Sequence, residues 1–181
     1  MRLFFAILSL CGLGFPLLAA TYSDPQHRIS FQYDDTLWET GAPKRNDVET
    51  LVSLQRRTPD KEGDTTYFSR LSIVKEDWSK IKTVKESKLP RLEAYKNHAA
   101  EFLKSQRFDI LSAAVRKTTG IPDGIFEIVA RQRDFGLTFQ QVGFLEKENA
   151  YLVTITVRTQ KFPEYQTEIN QILNSLKINN P

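Results

Sequence analysis

Four side chains of metal-ligand type fall close together between residues 24 and 35: Asp24, His27, Asp34 and Asp35. Three carboxylates and an imidazole are a donor set that suits Zn²⁺ or Mn²⁺. Two carboxylates converging on one substrate are what general acid–base catalysis requires. The spacing favours neither use. Asp34 and Asp35 are adjacent, so on a strand they project to opposite faces. Aspartates that follow a strand commonly accept hydrogen bonds from nearby backbone N–H groups and so shape turns. The alternating Ile29, Phe31 and Tyr33 precede this pair and Trp38 follows it. The expected role is therefore a turn that returns Trp38 to the core. No HExxH or EF-hand spacing accompanies the four residues, which remain metal candidates by residue type alone.

Other chemistry is sparse. With two histidines in the chain, an acid–base or triad imidazole must be His27 or His98. His98 and Glu101 stand at i, i+3 on an expected helix, where an exposed His–Glu pair is the simplest outcome. There is no G-x-S-x-G elbow and no phosphate loop. Asp134-Phe135-Gly136 falls between two strand-like runs and reads as a hairpin turn. A basic group, Arg131, Arg133 and Arg158 with Lys117 nearby, is expected on neighbouring strands. Glu127 and Glu146 are its expected ion-pair partners, and a shared face could receive an anionic partner. Phe135 and Leu137 are apolar residues expected near a loop. No catalytic residue and no cofactor are expected. The partner-binding candidates are Arg131, Arg133, Arg158 and Phe135.

The N-terminus carries an address. Met1-Arg2 is followed by an almost wholly apolar run to Leu18, interrupted by Pro16, and then by Ala19-Ala20. A basic start, an apolar stretch and small residues make a secretory leader with cleavage expected after Ala20. Residues 21–181 are then one domain without a linker or repeat. Cys11 is the only cysteine and lies in the leader, so the expected mature chain has no disulfide, thiol nucleophile or cysteine metal site. Arg2 leaves too, so 24 of the 25 basic side chains face 22 acidic ones, a charge of +2. Both signs are interspersed, unlike the basic stripe of a nucleic-acid binder. The expectations are a periplasmic or secreted monomer, no membrane span after cleavage, no nucleic acid, and a partner that is another exported or envelope protein.

Periodicity supplies the elements. Period-two patterning predicts strands over Arg28–Tyr33, Glu49–Arg57, Thr66–Lys75, Phe108–Lys117, Ile125–Arg133, Leu137–Lys147 and Tyr151–Arg158. The last four have short connections and should form an antiparallel meander, with Ile121-Pro122-Asp123-Gly124 as one of the turns. A helix from about Pro90 to Gln106 carries Leu92, Tyr95, Ala99 and Phe102 at helical spacing. A closing helix opens at Phe162-Pro163 and buries Tyr165, Ile169, Ile172, Leu173 and Leu176. Glu76–Leu89 is ambiguous, with Trp78 and Ile81 able to make a short turn on the sheet. Apolar residues on both phases of a strand, such as Ile125 and Val129 against Phe126 and Ile128, require cover on both sheet faces. The expected fold is α+β: a central antiparallel sheet of about six to seven strands with helices on both faces, shielded well enough to offer shape rather than reactivity.

The order of "ISFQY", "DDTLWE", "FEIVARQR", "FQQVGFLEKENAYLVTITVR" and the closing "INQILNSLKI" resembles the PsbP-like family, which includes Mog-type Ran-binding and bacterial DcrB-type periplasmic proteins. The resemblance spans about Tyr22 to Ile178. Where the family often has proline before the tryptophan turn, this chain has Asp34. The resemblance implies an antiparallel sheet with helices on both faces. It also implies a non-enzymatic accessory, GTPase-binding or secretion-chaperone role. Fold analogy alone does not choose among these. The expectation is thus an exported, non-catalytic, chaperone-like protein-binding module. The alternative is a periplasmic small-ligand or metal-binding protein that uses the segment 24–35.

Overall fold

The structure, a computed structural model, describes residues 19–41, 49–118 and 121–178. Its elements in chain order are β1 (Ala19–Asp24), β2 (Ile29–Asp34), β3 (Trp38–Thr40), β4 (Glu49–Arg56), β5 (Asp60–Glu62), β6 (Thr65–Tyr67) and β7 (Arg70–Asp77). A 3-10 turn (Trp78–Lys80), α1 (Lys82–Lys85) and α2 (Arg91–Ser105) follow. Next are β8 (Phe108–Thr118), β9 (Ile121–Gln132), β10 (Leu137–Glu146), β11 (Asn149–Arg158), α3 (Phe162–Ser175) and β12 (Lys177–Ile178).

Seven strands form one antiparallel sheet in the order β3-β4-β7-β11-β10-β9-β8. The expected meander is its β8-to-β11 half. A second sheet, β1-β2-β12, joins the two ends of the described chain, and β5-β6 is a small hairpin. Strand alternation sorts the core into two clusters. Val153, Ile155 and Val157 of β11 join Leu54, Leu71, Ile73 and Phe144 on one face, where Ile29 and Phe31 of β2 and Tyr165, Ile169 and Ile172 of α3 meet them. Phe126, Ile128, Ala130, Leu145 and Ala150 point the other way and pack with Leu92, Tyr95, Ala99 and Leu103 of α2. Each large side chain so buried contributes roughly 1.5–3 kcal/mol.

The pattern departs from expectation in instructive places. β1 lies ahead of the first expected strand, and its first two residues, Ala19 and Ala20, belong also to the expected leader. Residues 1–18 lie outside the described part. The third expected strand is divided: Thr65–Tyr67 turns back on β5, and β7 starts only at Arg70. Ile121–Gly124 is not a free turn. Thr118 pairs with Ile121, and Ile121–Gly124 belongs to β9 itself. Gly124 lies within β9 at φ 79°, beside the register shift between Arg116 and Thr118, where a Cβ would come 2.5 Å from the Arg116 carbonyl oxygen.

The cover on the α2 face is also incomplete. α2 packs against β8, β9 and part of β10. Phe102, expected in its buried stripe, is 58% exposed, and Leu103 is buried in its place. The reason is the helix's position over one end of the sheet: the same face of β4, β7 and β11 is left open beside it.

A groove between the second helix and the open sheet

The opening is a groove of about 620 Å³, within the usual range of small-molecule sites, roughly 300–1,000 Å³. Its floor is read directly from strand register. Ser53, Ser72, Thr154 and Gln141 lie side by side on β4, β7, β11 and β10 and form one polar rung. The next rung in one direction carries Arg70, Thr156 and Phe139. The next in the other direction carries Thr50, Val74 and Leu152. Adjacent same-face rungs are about 7 Å apart. The wall is α2, whose Tyr95, His98, Ala99, Phe102 and Leu103 recur at helical spacing, and Ile81 also lines the groove. The site therefore has an apolar wall and a hydroxyl-rich floor, with Arg70 and Glu76 six residues apart along β7.

Several polar groups in it are already engaged. The Tyr95 hydroxyl donates to Glu76 Oε1. Burial raises the Glu76 carboxyl above its ordinary pKa. His98 Nδ1 lies 3.1 Å from Thr83 Oγ1, and burial lowers the pKa of this imidazole, which favours its neutral form. The expected His98–Glu101 pair does not form: Glu101 pairs with Lys104 at 2.7 Å. Gln141 differs from these groups. Its amide nitrogen donates to Thr154 Oγ1 at 3.1 Å. It is only 8% exposed, yet its Oε1 has no hydrogen-bond partner. A buried acceptor left unpaired costs about 1–3 kcal/mol.

The residues singled out from the sequence are spread elsewhere. Asp24 and His27 do meet: His27 Nδ1 is 2.8 Å from Asp24 Oδ2, and the His27 backbone N–H donates to Asp24 Oδ1 at 3.0 Å. His27 Nε2 lies 3.5 Å from Glu49 Oε1. Burial pushes the Asp24 carboxyl up, but its bonds from the His27 ring and backbone outweigh this and hold it below the ordinary carboxylate range. Asp34 Oδ1 instead accepts from the backbone N–H and hydroxyl of Thr36, at 2.9 and 2.6 Å. Asp35 contributes its backbone carbonyl, which accepts from Arg57 Nε at 3.0 Å. This pair is a turn, and among the described residues no cluster of three or more His, Cys, Asp or Glu is placed to hold a metal ion.

The arginines are likewise dispersed. Arg133 pairs with Asp109, while Arg158 Nη1 donates to the Phe135 carbonyl at 2.8 Å. Glu127 does not serve them: it accepts from Gln140 Nε2 at 2.6 Å and lies 3.5 Å from Arg116 Nε. Arg131 is exposed on β9, and Phe135 is 62% exposed in the β9–β10 turn.

Sequence reasoning missed a second polar centre, which fixes α3. Trp38 does return to the core, where it is 1% exposed, and its indole N–H donates to Glu168 Oε1. Glu168 Oε2 accepts from Arg56 Nη1 at 2.6 Å. The Arg56 guanidinium stands 3.9 Å over the Tyr165 ring. The Tyr165 hydroxyl donates to the buried Asp60 at 2.6 Å, and Ser69 donates to the other oxygen of the same carboxylate at 3.0 Å. Burial and the Asp60 hydrogen bond raise the Tyr165 pKa far above its ordinary value. Glu168 flanks the α3 stripe, three residues after Tyr165 and four before Ile172, and helical periodicity alone does not say that such a flanking carboxylate is used.

No protein-family model and no curated protein matches the sequence. The fold is nonetheless similar to that of cyanobacterial PsbP (CyanoP) from Synechocystis sp. PCC 6803. The TM-score is 0.65 at 13% identity, over 96% of this chain and 99% of that one. A Pseudomonas aeruginosa protein of unknown function, PA94, is similar at a TM-score of 0.51 and 12% identity, over 90% of this chain and 98% of the other. The chain thus has a PsbP-like α+β fold. At these identities the likeness speaks for fold alone.

Proposed function

We propose that the chain is an exported, non-catalytic accessory module of the PsbP-like type that works by holding a ligand in the groove between α2 and the sheet. The observation that carries this reading is the groove itself, where a nine-tenths buried, unpartnered Gln141 carbonyl lies on the polar floor facing the α2 wall. The ligand-binding alternative thereby moves from the segment 24–35 to the opposite side of the main sheet. The leader pattern supports export to the periplasm or beyond the cell.

The test is native mass spectrometry of the chain recovered from its own compartment without detergent. A stoichiometric adduct that Phe102→Asp removes supports the reading. An adduct-free mass contradicts it, as does turnover in a hydrolase screen that His98→Ala or His27→Ala abolishes.

A second reading, docking onto another exported or envelope protein, is favoured by the sheet edge. β8 is the terminal strand of its sheet and exposes Leu111 (52%) and Val115 (39%), where soluble proteins usually protect such an edge. Phe135 and Arg133 lie in and beside the neighbouring turn. Crosslinking in the native compartment tests it: a captured protein released by Leu111→Lys supports edge docking, and one released only by groove substitutions does not.

A further inference from the structure

We infer that the groove takes an amphiphilic small molecule: a medium-chain carboxylic acid that carries a hydroxyl on its chain. This rests on the ligand-holding reading above and adds the chemical class. Three features, one per rung, set it. Val74 and Leu152 on the floor, in a groove that Ile81 and Phe102 also line, give an apolar track for an alkyl chain. The next rung offers Gln141 Oε1, buried and unpaired beside Thr154 Oγ1. A hydroxyl can donate to the one and accept from the other. The rung beyond carries Arg70, which is exposed and whose guanidinium makes no ion pair or hydrogen bond among the described residues, though its charge acts on Tyr67. A guanidinium there suits a carboxylate in bidentate fashion.

Polarity fixes which way the molecule lies. Among the described residues, Arg70 is the only Arg or Lys lining the groove. At the other end Glu76 repels an anion once ionised, and burial favours the neutral form of His98. The acid head therefore belongs at Arg70 and the tail toward Ile81. The hydroxyl matters because a site built to hydrogen-bond a polar group discriminates strongly against an analogue that lacks it.

The experiment is isothermal titration calorimetry of the full chain with sodium 3-hydroxydecanoate, sodium decanoate and 1-decanol as probes. The hydroxy acid is expected to bind one to one and at least about tenfold tighter than decanoate. Arg70→Ala should weaken both acids by about tenfold or more and leave decanol unchanged. Gln141→Leu replaces an unsatisfied buried amide by an apolar group, so the chain should fold normally, and the preference for the hydroxyl should vanish. Circular dichroism confirms the fold of each variant. Failure of the acids to saturate below about 1 mM, or affinities indifferent to both substitutions, overturns the inference. If a copurified adduct that Phe102→Asp removes is still seen, only the ligand class has failed. If no adduct is seen either, the ligand-holding reading fails with it.

Discussion

Replacing Glu168 by alanine should loosen α3 more than the loss of one residue at the margin of its apolar stripe suggests. Its carboxylate serves two groups from different strands, the Trp38 indole N–H and the Arg56 guanidinium. The side chains of Arg56 and Glu168 are only 13% and 19% exposed. Alanine leaves Arg56 poorly hydrated without its counter-ion and the indole without an acceptor. Removing one partner of a buried pair costs about 3–5 kcal/mol, and residual solvent access places this case near ~3 kcal/mol. For a domain of this size each kcal/mol lowers Tm by about 2–4 °C, so the expected fall is roughly 6–12 °C. Glu168→Gln keeps an acceptor for the indole and should cost about half as much. The double change Arg56→Leu with Glu168→Leu should recover most of the loss, because apolar replacements of a buried pair are often neutral. Urea unfolding followed by tryptophan fluorescence and circular dichroism measures all three. A Glu168→Ala variant within about 0.5 kcal/mol of the parent, or a double variant worse than either single one, would refute the reasoning.

Three further outcomes follow from the same structure. Gly143→Ala should destabilise by about 1–3 kcal/mol in urea unfolding: a Cβ there meets two Phe126 ring atoms at 2.3 Å, and Phe126 is fully buried. Glu76 has a raised pKa, so its contribution is complete below its ordinary value of 4.5 and is lost as pH rises through the folded value. Glu76→Gln should therefore match the parent near pH 4 and become the more stable of the two by pH 8 in thermal melts. Asp24 has a lowered pKa, so its contribution is present above 3.8 and is lost as pH falls through the folded value. Asp24→Asn should accordingly reduce stability at pH 7 and converge with the parent under strong acid.

Elements with one dominant period were legible in the chain. The α3 stripe of Tyr165, Ile169 and Ile172 and the β11 face of Val153, Ile155 and Val157 are buried as their spacing requires. Asp34 was legible as a turn former, since an aspartate after a strand has backbone donors within reach. The groove was hidden for a physical reason. Ser53, Ser72, Thr154 and Gln141 are remote in sequence and become neighbours only through strand order and register, which no local pattern encodes. The phase of β11 opposite its apolar face, Leu152, Thr154 and Thr156, was the one available sign. Phe102 fitted the helical stripe by spacing, but spacing does not say how far a sheet extends beneath a helix.

The proposed working surface is the groove beside α2, not the segment 24–35 or the arginines of the meander. The most direct measurement is an NMR titration of the isotope-labelled full chain with an organic extract of the cells that produce it. Saturable amide shifts are expected at residues 70–76, 98–103, 141 and 152–156, with residues 24–35 and 131–135 unmoved. Shifts concentrated in either of those last two segments, or none at saturating extract, would contradict it.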